Sequence, residues 1–345
     1  MKRKILVTGG TGYIGSHTSV ELINEGFDVV IIDNLYNSEA EVVDRIQMIT
    51  GTRPDLEIID ICDKPELEKF FGKNRDIAAI IHFAAYKAVS ESVSKPLEYY
   101  SNNLVSLINL LDLMKLFNIP DIVFSSSCTV YGQPEKLPVT EDTPFQPATS
   151  PYGNTKQIGE EIIRDATFSE KKLKAIALRY FNPIGAHPSG LIGELPRGVP
   201  ENLVPFITQT AFGLRDELKV YGDDYDTPDG SCIRDYLHVV DLAKAHVVAV
   251  KRLLEGKNRK DYEVFNLGTG NGVSVFEAIK SFERITGVKL KYRITGRRPG
   301  DIEKIWADPS FANQELGWQT VSTLDEAMKT AWEWEKNIRN KKEQS

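Results

Sequence analysis

Ile5-Leu6-Val7-Thr8-Gly9-Gly10-Thr11-Gly12-Tyr13-Ile14-Gly15 carries a short apolar run straight into closely spaced glycines. The run is compact enough for a buried strand, and a helical pattern follows it to Asn24. Glycines at 9, 12 and 15 permit a tight strand-to-helix turn, with backbone drawn close to a pyrophosphate at the helix N-terminus. The spacing is GxxGxxG, not the commoner GxGxxG. Glycine-rich turns are frequent, and it is the position between strand and helix that gives this one meaning.

Working outward, Val29 to Ile32 predicts a second strand ending at Asp33-Asn34, with Asp33 18 residues after Gly15. A carboxylate there accepts hydrogen bonds from an adenosine ribose and repels a 2′-phosphate, which favours NAD over NADP. Leu56 to Ile59 and Ala78 to Ile81 predict further strands, ending at Asp60-Ile61 and at His82-Phe83-Ala84-Ala85. His82 reads as a packed histidine. Lys87 reads either as a phosphate contact or as a solvated lysine. A broad apolar helix is expected over 95–117, then strands at Ile122–Phe124, Lys174–Tyr180 and Val264–Gly268, with helices at 274–286 and 323–336. Strands alternating with helices imply an α/β protein built on a doubly wound parallel sheet, Rossmann-like.

The fifth of these strands leads into Ser125-Ser126-Ser127, and Ser150-Pro151 is a helix-start signal. A helix begun there sets Tyr152 and Lys156 one turn apart on one face. An ammonium beside a phenol favours the ionised phenol, which can then take a proton from a sugar or alcohol hydroxyl and return it. Ser127 is placed to hydrogen-bond the same oxygen. Tyr-x-x-x-Lys also occurs by chance as a surface pair, yet of 13 tyrosines only Tyr152 has lysine at the fourth position.

At 345 residues, with 41% hydrophobic and 26% charged residues, the chain has the composition of a soluble globular protein of one large or two moderate domains. A net charge of −7 argues against nucleic acid or an anionic membrane as partner. Cys62, Cys128 and Cys232 are too sparse for a disulfide framework or a zinc site, and no metal is expected. The start of the chain is too weakly apolar for a signal peptide, and no run approaches a membrane span, so a cytoplasmic protein is expected.

After Tyr180 the texture changes. Residues 181–234 are rich in Gly and Pro and read as ordered loops that hold a ligand, with Asn182, Asn202, Arg234, Arg298 and Asp301 as polar candidates. Arginine suits bidentate phosphate contacts. The expected division is a dinucleotide-binding domain over 1–180, to which 235–270 partly returns, and a smaller C-terminal α/β substrate-binding region within 181–340. The tail from Asn340 to Ser345 is expected to fray.

Several segments together resemble the UDP-glucose 4-epimerase family of extended short-chain dehydrogenases/reductases over nearly the whole length. They are Val7–Gly15, His82–Val89, Lys95–Tyr100, Phe124–Gly132, Ser150–Tyr152, Arg179–Gly190 and Gly230–His238. The resemblance implies tightly held NAD on Gly9, Gly12, Tyr13, Ile14, Gly15, Asp33, Asn34, Asn37, Ser38, Asp60, Ile61, Phe83, Ala84, Ala85, Lys87, Asn102, Tyr152, Lys156 and Tyr180. It implies Tyr152 as the base, Lys156 lowering its pKa and Ser127 bridging. UDP-glucose or UDP-galactose would meet Lys87, Ser127, Tyr152, Tyr180 and Asn182, with uridine and diphosphate on Asn202, Leu203, Tyr221, Arg234, Arg298 and Asp301. A homodimer through the 95–117 and Tyr152 helices is implied as well. In such proteins use of N-acetylated UDP-sugars depends on the volume of one residue, here Ile305, which is neither of the family's usual tyrosine or cysteine. Related dehydratases carry Thr-Asp-Glu where this chain has Ser127-Cys128-Thr129, and non-enzymatic relatives lose the tyrosine or lysine that is present here.

Overall fold

The computed structural model describes residues 2–298 and 301–343, without side chains for 341–343. Its strands are β1 (Lys4–Thr8), β2 (Asp28–Asp33), β3 (Asp55–Ile58), β4 (Ile77–His82), β5 (Asp121–Ser125), β6 (Lys174–Tyr180), β7 (Asn182–Ile184), β8 (Leu218–Tyr221), β9 (Ile233–Arg234), β10 (Tyr236–His238), β11 (Tyr262–Leu267), β12 (Val273–Ser274), β13 (Tyr292–Thr295) and β14 (Lys304–Ile305). The helices are α1 (Tyr13–Asn24), α2 (Val42–Thr50), α3 (Lys64–Lys73), α4 (Val89–Ser94), α5 (Pro96–Phe117), α6 (Pro151–Ser169), α7 (Leu203–Ala211), α8 (Val239–Leu254), α9 (Val275–Thr286), α10 (Ser310–Glu315) and α11 (Leu324–Glu343).

Seven parallel strands form one sheet in the order β11-β6-β5-β4-β1-β2-β3. Ile and Val on both faces of β1, β2, β4 and β5 divide between two cores. One, beneath α1 and α8, includes Ile5, Val7, Ile31, Ile81 and Val123; the other, beneath α3, α5 and α6, includes Leu6, Val30, Ile32, Ile80 and Ile122. Burial on both faces explains the continuous apolar runs. The order reverses between β1 and β4, which opens a crevice outside the carboxyl ends of the strands.

Local signals set the boundaries. Ser150 caps α6 by accepting from Gly153 N at 3.1 Å, with Pro151 next in the chain. Ser274 and Glu277 form a reciprocal capping box on α9. The stretch 181–234, expected as loops, instead contains α7 and β8 besides the short β7 and β9. Val204, Ile207, Leu218 and Val220 bury there in a third core with α9 and α11. The helix α8, which no sequence signal was used to place, fills one sheet face and packs along α1. The frayed tail is also corrected as far as Glu343: α11 continues to that residue, and Gln344 and Ser345 lie outside the described residues.

Candidate active site

The turn after β1 is held open by backbone packing. Gly9 has φ +69° and donates its N–H to Ile32 O at 2.7 Å, and a Cβ on Gly15 would lie 2.2 Å from Gly9 O. No side chain caps α1, whose N-cap is Gly12, and its first turn carries no acidic residue. The free N–H groups at its start therefore face the crevice, where an anionic group would satisfy them. Asp33 closes the far side. Its carboxylate accepts from Thr11 N at 3.2 Å, Leu35 N at 3.0 Å and the Ser38 hydroxyl at 3.0 Å, which fixes the loop after β2. An uncapped helix start beside a fixed acid is the donor and acceptor set a dinucleotide needs, so the residues fit that group.

On the other side of the switch point, α6 brings Tyr152 and Lys156 to the end of β5. Lys156 is 4% exposed and donates Nζ to Ser125 O at 2.7 Å. Its ammonium lies 5.8 Å from the Tyr152 ring centroid and 4.9 Å from that of Phe124. The Ser125 hydroxyl and the Tyr180 phenol share a hydrogen at 2.5 Å, and Ser127 Oγ accepts from Thr129 N at 3.2 Å. Burial pushes the Tyr152 phenol up, the Tyr180 phenol adds to this, and hydrogen bonding with Ser127 draws it back. Burial also lowers Lys156 to about 8, opposed by the charge of Glu160. Below that pH the lysine is a buried cation on the Tyr152 side of the cleft.

One cleft of about 1360 Å³ joins the two halves. Its walls include all the expected dinucleotide contacts, namely Gly9, Gly12, Tyr13, Ile14, Gly15, Asp33, Asn34, Asn37, Ser38, Asp60, Ile61, Phe83, Ala84, Ala85, Lys87, Asn102, Tyr152, Lys156 and Tyr180. Ser127, Asn182, Asn202, Arg234, Arg298, Asp301 and Ile305 line it too. Asp301 accepts from Arg298 Nη2 at 2.6 Å and lies 3.9 Å from Arg234 Nη2, so one acid orients two guanidinium groups. Two expected residues are not among its walls. Leu203 begins α7 and packs toward the third core, and Tyr221 ends β8, 40% exposed, with the Arg298 guanidinium 5.6 Å from its ring.

Sequence inspection passed over the strap from Gly193 to Glu201, every residue of which lines the cleft. Arg197 donates to Tyr36 O and Ser38 O, both at 2.6 Å, and so ties the strap to the loop that Asp33 shapes. Glu194 accepts from Asn202 Nδ2 at 2.7 Å and from Lys87 Nζ at 3.2 Å. Only the Gly and Pro density around 181–234 marked this stretch. Its backbone partners lie about 160 residues away and leave no local signature. Thr11 and Cys128 also line the cleft unannounced, and burial pushes the Cys128 thiol up to about 12.

The sequence model of the GDP-mannose 4,6 dehydratase family matches residues 6–331, which defines the class: an extended short-chain dehydrogenase/reductase. The UDP-glucose 4-epimerase of Yersinia enterocolitica is 50% identical over 332 residues, covering 96% of this chain and 97% of that protein. The human UDP-glucose 4-epimerase is 47% identical over 342 residues, covering 97% of each. A crystal structure of UDP-glucose 4-epimerase from Bifidobacterium longum with NAD+ and UDP superposes with a TM-score of 0.93 at 47% identity, covering 98% of this chain and 99% of that one. The chain belongs to the UDP-glucose 4-epimerase family.

Proposed function

We propose that this protein interconverts UDP-galactose and UDP-glucose by inverting C4 through a transient 4-keto sugar. The observation that carries the reading is the placement of Tyr152, Lys156 and Ser127 opposite an uncapped α1 N-terminus in one cleft. NAD, when bound, accepts the C4 hydride and gives it back, so no external oxidant is consumed. The N–H groups at the start of α1 bind its pyrophosphate, Asp33 its ribose hydroxyls, and Asn34, Asn37, Ser38, Asp60 and Ile61 enclose the adenosine side. Phe83, Ala84, Ala85, Lys87, Asn102 and Tyr180 complete the cofactor wall.

Tyr152 takes the proton of the 4-hydroxyl at its phenolic oxygen and later returns it. Ser127 bridges the phenol and the sugar oxygen. Lys156 lowers the cost of the phenolate and holds the end of β5 through Ser125. Lys87, Tyr180 and Asn182 face the sugar, which must turn over about its diphosphate link between the two half-reactions. Asn202, Arg234, Arg298 and Asp301 hold uridine and diphosphate, so that the nucleotide stays anchored while the sugar moves. Elimination chemistry is disfavoured because the cleft offers the neutral Cys128 where a dehydratase carries a carboxylate.

The same reading divides the chain at Tyr180, with residues 1–180 holding NAD and 181–340 mainly the UDP-sugar, while 235–270 returns in part to the first. A homodimer across α5 and α6 accounts for exposed Leu97, Val105 and Ile108 on α5 and Phe168 on α6. The cytoplasm is the proposed location; among the described residues no helix is long and apolar enough to cross a membrane. Ile305 is buried against the cleft and paired across the strands with Arg234, so its volume sets the room for an N-acetyl group.

The test is turnover of UDP-galactose by purified protein with no added cofactor, followed by release and quantification of bound NAD. UDP-glucose formed with NAD bound and no oxidant consumed supports the reading. No product even with NAD supplied overturns it. UDP-N-acetylgalactosamine in the same assay reports on Ile305. Substituting Arg197→Ala removes two hydrogen bonds between the strap and the cofactor loop, and cofactor loss during dialysis is expected to quicken about tenfold. Unchanged retention would show that the strap does not hold the loop.

A further inference from the structure

Behind the three serines lies a buried ionic node that the steps above leave unused. Glu160 stands on α6 one turn beyond Lys156 and two beyond Tyr152, with its side chain 4% exposed. Its Oε1 accepts from Ser126 Oγ at 2.5 Å and from Arg179 Nε at 2.9 Å. Its Oε2 accepts from Arg179 Nη2 at 2.7 Å and from the Tyr262 hydroxyl at 2.9 Å. Arg179, 7% exposed, also donates Nη1 to the Tyr131 oxygen at 2.9 Å. Four hydrogen bonds, from β6, β11 and the segment that follows β5, thus converge on one carboxylate.

A buried ion pair of this kind is weak evidence for stability, because desolvation offsets the attraction. Its placement says more. Ser126 precedes Ser127 on the segment leaving β5, Arg179 precedes Tyr180 on β6, and Glu160 shares the Tyr152 face of α6. Two partners in the node, Ser126 and Arg179, are chain neighbours to residues assigned to the substrate, and Glu160 shares its helix with a third. A displacement of about 1 Å between such groups can cost about 100-fold in rate.

We propose that Glu160, locked by Arg179, is a positioning residue for the epimerisation: it sets α6 against the ends of β5 and β6 and supports the charge of Lys156. The inference rests on the functional reading above. Lys156 faces Tyr152 and Glu160 on its own helix, the Phe124 ring and Ser125 carbonyl of β5, and His82 from β4, which burial lowers to about 3 and so leaves uncharged. Glu160 is the group that opposes burial in setting the lysine's affinity for its proton. Arg179 and Tyr262 face Glu160 from the other side, and Tyr131 meets Arg179 beyond them.

The experiment compares wild type with Glu160→Gln and with the double variant Glu160→Gln/Arg179→Met, which removes both charges and leaves no cation unpaired if the single variant fails to fold. Expected for the double variant are wild-type NAD content, a KM for UDP-galactose within about twofold, and a kcat lower by about 100-fold. The alkaline limb of its kcat profile should move to lower pH, since Lys156 then sheds its proton more readily. A double variant whose kcat and pH limb match wild type overturns the proposal. Loss of NAD and a raised KM along with kcat also overturn it, because they mark general loosening. Wild type that fails on UDP-galactose overturns the functional reading together with this inference, and the wild-type control tells that outcome apart from the others.

Discussion

Tyr152→Phe should fold normally, retain NAD and turn over UDP-galactose at least about 1000-fold more slowly than wild type, within the range for loss of general acid–base catalysis. The ring is 8% exposed, so removing one hydroxyl leaves its burial in place. What is lost is the phenolic oxygen proposed as the base, which hydrogen-bonds with Ser127. KM should change little, because the residues proposed to anchor uridine and diphosphate lie elsewhere. Steady-state kinetics with bound NAD measured on the same sample decide the matter. A variant within about tenfold of wild type would remove Tyr152 from its role as base.

The same pair fixes a pH dependence whose sign can be worked out. Lys156 is lowered to about 8 by burial, so it is charged below that pH and neutral above it. A rate that needs the ammonium falls as pH rises through about 8. Stability runs the other way for this group: the unfolded lysine binds its proton more tightly, so its burial penalty shrinks as pH rises from about 8 toward the unfolded value. An alkaline loss of activity without a matching loss of melting temperature is the expected signature.

The strands that build the sheet were legible because burial on both faces demands unbroken Ile and Val runs, and their polar ends marked the crevice. Tyr152 with Lys156 was legible because helical spacing is local, and Ser150-Pro151 announced the helix. What lay hidden depends on pairings remote in sequence. Arg197 meets backbone oxygens in another segment, and Glu160 gathers Arg179 and Tyr262 from two strands and Ser126 from the segment after a third. No periodicity encodes such meetings. The helix α7 was hidden for a different reason: Gly and Pro around it dominate the composition, while its buried aliphatic positions Val204 and Ile207 span a single turn. The phenol was legible as to residue but not as to environment, since burial, which raises it, is a property of the folded cleft alone.

Gly15→Ala is expected to weaken NAD binding about 100-fold and to destabilise the protein by about 3 kcal/mol, the upper part of the range for overpacking. The added methyl would lie 2.2 Å from Gly9 O and 2.8 Å from Gly10 Cα. Both obstacles are backbone, so no side-chain rotation relieves them. The turn can yield only by moving Gly9 outward, yet Gly9 is pinned by its N–H to Ile32 O and sits against Ala84. Displacement there would misplace both the free N–H groups of α1 and the Asp33 carboxylate that Thr11 N holds. Gly26→Ala is the matched control: its Cβ would meet nothing within 4 Å, although its φ of +85° makes alanine mildly strained. NAD content after gel filtration and the melting temperature of both variants separate the two effects. If Gly15→Ala keeps its cofactor while Gly26→Ala does not, the cleft is not assembled around the glycine turn.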